Sequence, residues 1–513
     1  MNRVAGKEKQ SKQPLKLKVS EPVPIYPRIE KNLVYLKHIL GNSSDLVLRT
    51  FALGKTECAV LFIDGMVNKD TVHDFIMEAL MLELPDKRPT IRHLYTTIKD
   101  TSLPIGELSE VNSMDNLLQK VLAGETILLV DHQTQALSAS TKGWRDRGVQ
   151  ETTSESVIRG PKEAFTETLR TNTALLRRKI RSPHLRIDAK TVGEVTNTDV
   201  AIVYVEGIAE KQVVQEVHKR IDDIRIDGVL ESGYLEEYIQ DAQYSPFPTI
   251  YYSEKPDAIA GGLLEGRIAI ITDGTPDVLL VPALFVNFMQ SSEDYYQRAD
   301  ISTLIRLLRL FCFSIALFMP SLYIAFTTYH QEMIPAPLLV SLAAQQEGVP
   351  FPAFVEAIIM EVTFEILREA GVRLPKNVGS AVSIVGALVI GQAAVQAGLV
   401  SAAMVIVVAL TAISSFVFPA YNMAISIRIL RFGFMILAAT FGLYGVILGL
   451  LAMVLHLCSL QSFGKAYMSP FAPFIPKDQK DVLIRFPHWG LLSRPSSMVQ
   501  YNEKRTNSTS KEK

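Results

Sequence analysis

The stretch after Pro352 combines residue types and spacing that could serve cation chemistry, because it sets carboxylates within an apolar sequence. On an α-helix, Glu361, Glu365 and Arg368 lie on one face, at positions i, i+4 and i+7. Charges at bilayer depth usually face a bundle interior or an aqueous path, and acidic rings favour cations. An interfacial amphipathic helix, with Glu365 paired locally to Arg368, is the open alternative. The candidate ion-pathway residues are Glu356, Glu361, Glu365 and Arg368.

The sequence around this helix predicts a membrane domain. No Asp, Glu, Lys or Arg occurs between Lys376 and Arg428. This run holds two lengths of the roughly 20 apolar residues that a membrane-spanning helix needs. The segments 310–331 and 432–464 also lack acidic and basic residues, apart from one histidine each. We therefore expect an α-helical multi-pass membrane domain over residues 301–462, with about five or six passages.

Small residues in these spans predict close helix packing, because they let helix backbones approach each other in lipid. Two glutamines four residues apart could add interhelical hydrogen bonds, or they could contact an aqueous path. Gly398 lies near the point where the two spans would turn. The candidate packing residues are Gly386, Gly391, Gln392, Gln396 and Gly398.

Basic residues predict the orientation of the chain. Arg298, Arg306 and Arg309 precede the first span, so the positive-inside rule puts the N-terminal region in the cytoplasm. The N-terminus is basic and has no apolar h-region, so no cleavable signal peptide is predicted. The last apolar run leaves two alternatives open. One long helix would put the basic C-terminal tail outside, whereas a hairpin would bring it inside.

The first 300 residues alternate short apolar runs with helical patterns, which predicts two small α/β subdomains. Strand-like runs occupy 126–130, 185–192 and 278–281. A helix is expected to begin near Pro161, a favoured first-turn residue, and to end in the cations of 177–179. The predicted divisions are a disordered basic tail (1–30), α/β subdomains (31–150 and 151–300), the membrane domain and a polar C-terminal tail (463–513).

Composition and motifs argue against several functions. A net charge of −1 gives no bulk attraction to nucleic acid, so no nucleic-acid partner is expected. Three separated cysteines predict neither a disulfide framework nor a zinc site. Gly54-Lys55-Thr56 resembles the end of a phosphate-binding loop, but Arg49 stands where that loop needs glycine. The run from Asp273 to Pro276 is interpreted as a structural turn. We expect no enzymatic activity, no cofactor and no metal site.

Several long stretches, taken in order, carry a family resemblance. They include Ile158–Phe165, Leu169–Arg178, Leu230–Glu237, Asp273–Pro276, Phe364–Ala370, Ser383–Gly391 and Pro470–Pro476. These stretches resemble the A subunits of GerA-type spore germinant receptors of endospore-forming bacteria. The resemblance covers nearly everything from about residue 40 to residue 495, and none of its motifs is catalytic.

The resemblance implies an integral protein of the spore inner membrane with a large cytoplasmic N-terminal region. Such A subunits work with a transporter-like B subunit, where nutrient is thought to bind, and with a lipoprotein C subunit. Nutrient binding triggers release of monovalent cations, and the A subunits are thought to form a homo-oligomeric ion-conducting element in the membrane lipid. The alternatives are a SpoVAF-like accessory ion channel of the same membrane and a secondary transporter or permease.

Overall fold

The computed structural model describes residues 23–53, 56–74, 108–143, 155, 157–373, 389–499, 504 and 505. The chain forms two compact units. The first comprises residues 1–240, 252–282 and 488–513, and the second comprises residues 241–251 and 283–487. An α/β N-terminal region is followed by a helical region, as predicted. The predicted domain divisions remain predictions, and residues 1–22 of the basic tail lie outside the described residues.

A five-stranded sheet forms the first part of the first unit. Its strands are β1 (Leu46–Leu53), β2 (Thr56–Ile63), β3 (Leu108–Val111), β4 (Thr126–Val130) and β5 (Ala136–Ala139), in the order β1-β2-β4-β5-β3. All its paired strands are antiparallel. Helices α1 (Ile29–Leu40) and α2 (Met114–Leu122) bury their apolar faces in the same core as this sheet. The residues after Thr56 form strand β2 and not a helix, which argues further against a phosphate-binding loop.

A second sheet repeats this topology. Its strands are β6 (Leu185–Val192), β7 (Thr198–Val205), β8 (Tyr251–Ser253), β9 (Ile268–Thr272) and β10 (Val278–Val281), in the order β6-β7-β9-β10-β8. Its helices are α3 (Leu169–Lys179), α4 (Lys211–Asp222), α5 (Ser232–Ile239) and α6 (Pro256–Leu264). In each sheet, the fourth and fifth strands therefore lie between the first two strands and the third. The strands predicted at 126–130, 185–192 and 278–281 are confirmed with those bounds.

Helix α3 begins later than the sequence predicts. Pro161 precedes it by eight residues, and the N-cap residue Thr168 has an extended backbone. The Leu169 N–H donates to Asp273 Oδ1 at 2.8 Å, and the Thr166 N–H donates to Asn172 Oδ1 at 2.8 Å. The Asp273 carboxylate thus caps α3 from a turn, which gives this residue the structural role expected of it.

A buried ion pair joins the two sheets. Arg177 Nε on α3 donates to Asp45 Oδ2 at 2.7 Å, and both side chains are 1% exposed. The Ser43 hydroxyl donates to Asp45 Oδ1 and accepts a hydrogen bond from Arg177 Nη2. Arg177 is therefore a buried partner of Asp45 and not simply a cation that complements the end of α3.

The C-terminal segment returns to the first unit. Met498 and Val499 are each 2% exposed. Arg494 Nε donates to the Leu264 carbonyl at 2.9 Å, and Arg505 forms an ion pair with Glu265 at 2.7 Å. The end of the chain is consequently part of the same unit as the two α/β sheets.

The second unit is built from helices, the two longest of which have 30 and 39 residues. Its helices are α7 (Phe285–Met289), α8 (Ala299–Thr328), α9 (Ala336–Gln346), α10 (Ala353–Arg373), α11 (Ala402–Ser415) and α12 (Tyr421–Ser459), with a further helical segment at 389–396. Within the described residues, α8 and α12 are long and apolar enough to cross a membrane. Helix α8 packs against α10, α11 and α12. Many apolar side chains of α8, α11 and α12 are exposed.

Helix α12 is broken at Gly442. Its 39 residues would span about 58 Å if straight, roughly twice the hydrocarbon thickness. Gly442 has φ 60° and ψ −144°, a conformation that essentially only glycine adopts. A Cβ atom built on Gly445 would lie 2.2 Å from the Leu437 carbonyl oxygen. The second half therefore folds back closely along the first, which is the hairpin alternative for the last apolar run.

Two arginines near the start of α8 form a buried network with an aspartate before that helix and an aspartate after α12. Arg306 Nε contacts Asp294 Oδ2 at 3.1 Å, and Arg306 Nη1 contacts Asp481 Oδ1 at 3.1 Å. Arg309 Nη1 adds a 2.7 Å contact to Asp294. Arg306 and Asp294 are each 2% exposed at the side chain. These ion pairs hold residue 481 beside the start of α8.

Candidate functional site

Helix α10 carries the candidate ion-pathway residues and packs against α8, α11 and α12. Its Glu361 forms a fully buried ion pair with Arg431 in the first half of α12. The two carboxylate oxygens lie 2.8 and 2.7 Å from Arg431 Nη1, and the side chains are 0% and 1% exposed. Arg431 Nε is buried and has no hydrogen-bond partner among the described residues. Both hydrogen bonds of this pair therefore come from one guanidinium nitrogen, and Glu361 is the carboxylate that compensates the charge of Arg431.

A second ion pair lies one helical turn further along α10. Glu365 Oε2 accepts a hydrogen bond from Arg428 Nη1 at 2.7 Å. The two side chains are 27% and 15% exposed, so this pair is less deeply buried than the first. Because Glu361 and Glu365 are four residues apart and their partners are three apart, the two pairs connect one face of α10 to one face of α12.

Arg368 does not use Glu365 as its close partner. Its guanidinium carbon lies 5.3 Å from the centre of the Phe416 ring and 5.9 Å from that of Tyr421, which is cation–π geometry. Its Nη1 is buried, and no residue that the structure describes forms a hydrogen bond with it. The locally paired amphipathic helix considered from the sequence is therefore not the observed arrangement of Glu365 and Arg368.

Glu356 has a different environment from the other two carboxylates. It is 0% exposed, and its Oε2 accepts a hydrogen bond from the Ser401 N–H at 2.7 Å. Ser401 is the N-cap of α11, and its hydroxyl accepts a bond from the Met404 N–H. Glu356 thus adds a second cap to the start of α11, where the helix dipole favours negative charge. Its Oε1 is buried and has no hydrogen-bond partner in the described part of the chain.

The four predicted residues therefore lie on one helix but have three environments. Glu361 and Glu365 are neutralised by arginines, Arg368 is stacked on rings, and Glu356 caps a helix without a cationic partner. The described part of the chain holds no group of three or more His, Cys, Asp or Glu residues that could bind a metal ion.

Comparison with known proteins identifies the family. Residues 34–497 match the sequence model of the family described as Bacillus/Clostridium GerA spore germination protein. Spore germination protein KA of Bacillus subtilis is 50% identical over 487 residues, which are 94% of this chain and 89% of that protein. The chain belongs to the GerA family. The resemblance drawn from the sequence is thereby confirmed.

Two further similarities fall within the GerA-family match. YfkQ, described as an uncharacterized membrane protein of Bacillus subtilis, is 45% identical over 93% of both chains. The crystal structure of the N-terminal domain of the A subunit of the Bacillus megaterium spore germinant receptor GerK3 is 37% identical to this chain. That structure covers 52% of this chain and 99% of its own, with a TM-score of 0.42.

The predicted packing residues of this GerA-family chain differ in exposure. Gly391 is buried, and a Cβ atom built on it would meet Val405 Cγ1 at 3.5 Å. Gln392 and Gln396 are both exposed. Gly398 adopts φ 67° in the turn before α11, at the predicted position. Gly386 lies outside the described residues. Neither glutamine side chain forms a hydrogen bond with another described residue. The prediction that these residues mediate helix packing therefore stays a prediction.

Sequence reasoning missed the partners of the acidic residues. The sequence analysis gives Arg428 and Arg431 no role as partners of the glutamates, and it does not single out Tyr323 or Ser401. One signal was available. Two arginines three apart at the start of an apolar helix match the spacing of two glutamates on another, and unpaired charges at bilayer depth are costly.

Proposed function

We propose that this GerA-family chain is the A subunit of a nutrient germinant receptor in the spore inner membrane. Nutrient sensing by a transporter-like B subunit and a lipoprotein C subunit would be coupled to release of monovalent cations. The chain would act as a homo-oligomeric ion-conducting element and not as an enzyme, and it would need no cofactor. Its family membership and its apolar helices with buried charges support this proposal.

The proposed topology has both ends of the chain in the cytoplasm. The break at Gly442 supports a hairpin in the last apolar run. Residues 488–499 belong to the α/β unit, and residue 481 lies beside the start of α8. A chain whose C-terminal segment belongs to the same unit as its N-terminal sheets must cross the membrane an even number of times. Of the five or six passages expected from the sequence, these contacts favour six.

The observation that carries ion conduction is the charged face of α10. Three carboxylates of α10 lie within an apolar helical unit, two of them fully buried. Buried charges in membrane helices are costly and commonly mark ion pathways. The exposed amides of Gln392 and Gln396, on one face of an otherwise apolar segment, favour a polar partner such as a second copy of the chain.

Cation flux in liposomes tests the proposal. The Glu361→Gln, Glu365→Gln double variant leaves Arg431 and Arg428 without counter-charges, and two uncompensated positive charges beside a pathway should repel cations. We expect a marked loss of Rb⁺ uptake and of nutrient-triggered germination, with assembly checked by gel filtration. Glu332→Gln, an exposed residue outside α10, is the control. Unchanged flux and germination in the double variant would contradict a role of this face in conduction. Flux of the nutrient itself would favour a transporter.

A further inference from the structure

Glu356 is the buried carboxylate of α10 for which the described residues provide no cationic partner. Glu361 and Glu365 each contact an arginine at 2.7 Å. Glu356 is fully buried and accepts a single hydrogen bond, from the Ser401 N–H, while its Oε1 has none. A buried carboxylate usually acquires a counter-charge, because desolvation of an unpaired ion costs far more than one hydrogen bond returns.

The start of α11 compensates this charge only in part. A helix N-terminus is equivalent to about half of one positive charge, so roughly half of the charge of Glu356 stays unbalanced. The remaining charge requires either a proton or a further positive group, and no described side chain supplies that group.

A second buried oxygen atom lies within electrostatic reach of Glu356. It is the Tyr323 hydroxyl of α8, which also interacts with the side chains of Ser401 and Gln346. Glu356 Oε1 on α10 and the Tyr323 hydroxyl on α8 are both buried, and neither meets the distance and angle of a hydrogen bond with any described residue. Oxygen ligands of this type suit alkali and alkaline-earth cations, whereas zinc prefers nitrogen and sulfur.

We propose that Glu356 Oε1 and the Tyr323 hydroxyl are ligands of a binding site for one monovalent alkali cation at the start of α11. A single carboxylate matches one positive charge, whereas Ca²⁺ usually takes six to eight oxygens and several carboxylates. The site deepens the proposed ion-conducting function and rests on it for its physiological meaning. On α10, Glu356 would be the carboxylate that exchanges its counter-ion, while Glu361 and Glu365 keep theirs.

Thermal unfolding of the full-length chain in lipid nanodiscs tests the site. K⁺ is titrated against N-methyl-D-glucamine at constant ionic strength and constant pH. We expect a saturable rise in the unfolding midpoint for the wild type, because a ligand that binds the folded state stabilises it. Glu356→Gln keeps an acceptor for the Ser401 N–H but loses the charge, so the K⁺-dependent rise should disappear. Tyr323→Phe removes one ligand atom and should shift the titration to several-fold higher K⁺.

Controls separate this site from general salt effects and from the proposed function. Glu332→Gln removes an exposed charge and should titrate like the wild type. A K⁺-dependent rise retained in Glu356→Gln, or a wild-type midpoint that follows pH but not K⁺, would overturn the site. Rb⁺ flux is measured in parallel. Wild-type flux without saturable binding refutes the site and spares conduction, whereas saturable binding that Glu356→Gln abolishes, without flux, supports the site and refutes conduction.

Discussion

Removing the charge of Glu361 should destabilise the helical unit strongly. In Glu361→Gln, the Arg431 guanidinium stays at 1% exposure without its counter-charge. Breaking a buried ion pair from one side typically costs about 3–5 kcal/mol. For a unit of this size, that loss corresponds to a drop of roughly 6–20 °C in the unfolding midpoint. The second substitution Arg431→Met should recover part of the loss, because it removes the uncompensated buried charge and leaves only a neutral amide without its partner.

The measurement is thermal unfolding of purified protein in detergent, for both single variants and the double variant. Glu369→Gln is the matched control on the same helix. Its ion pair with Arg373 is exposed, at 65% and 78% of the two side chains, and such pairs contribute about 0–1 kcal/mol. The reasoning is refuted if Glu361→Gln lowers the midpoint no more than Glu369→Gln. It also fails if adding Arg431→Met to Glu361→Gln recovers nothing.

Three further changes have defined outcomes. Arg177→Met leaves Asp45 buried without its cation, so the α/β unit should lose about 3–5 kcal/mol, measured by urea unfolding against the exposed control Arg225→Met. Gly442→Ala forces a Cβ to 2.8 Å from His330 and should cost about 1–3 kcal/mol. Gly433→Ala, open on the same helix, should be neutral or slightly stabilising, and equal midpoints for the two would contradict the break. Burial, followed by the charges of Glu231 and Asp277, raises the pKa of Glu236 from 4.5 to about 7. The folded state then binds more protons than the unfolded state between those values, so stability should fall as pH rises from 4.5 to 7. Glu236→Gln should flatten that fall, and an unchanged pH profile of the unfolding midpoint would refute this assignment.

Local sequence signals predicted several elements with their bounds. Thr126–Val130 is buried at every residue, and a short apolar run bounded by turn residues predicts such a strand directly. Helix α3 was placed too early because Pro161 is a valid first-turn residue, whereas the start is fixed by the side chain of Asp273, more than 100 residues away. The repeated strand order of the two sheets could not be predicted, since strand order is set by pairings between distant segments.

The difference between local signals and contacts of distant segments also explains which parts of the candidate site could be predicted. The spacing of Glu361, Glu365 and Arg368 is local, so their common helix could be derived from the sequence. The partners of the glutamates are 70 and 63 residues away, and no local pattern names them. Gly398 was placed correctly in a turn because its local context, between two apolar runs, was sufficient.

The observed pairs change what an acidic helix face means in this chain. Each of these carboxylates forms an ion pair with an arginine, and the pair as a whole carries no net charge. Glu361 and Glu365 therefore hold α10 in position as long as the two ion pairs are intact. Both arginines belong to the half of α12 before Gly442, so the two pairs attach α10 to one rigid half-helix. Movement of α10 relative to that half would have to break both pairs, which costs more than moving the two together. We therefore expect α10 and the first half of α12 to move as one body. A conformational change within this unit would then occur at the contacts of this body with α8 and α11, where Glu356 lies.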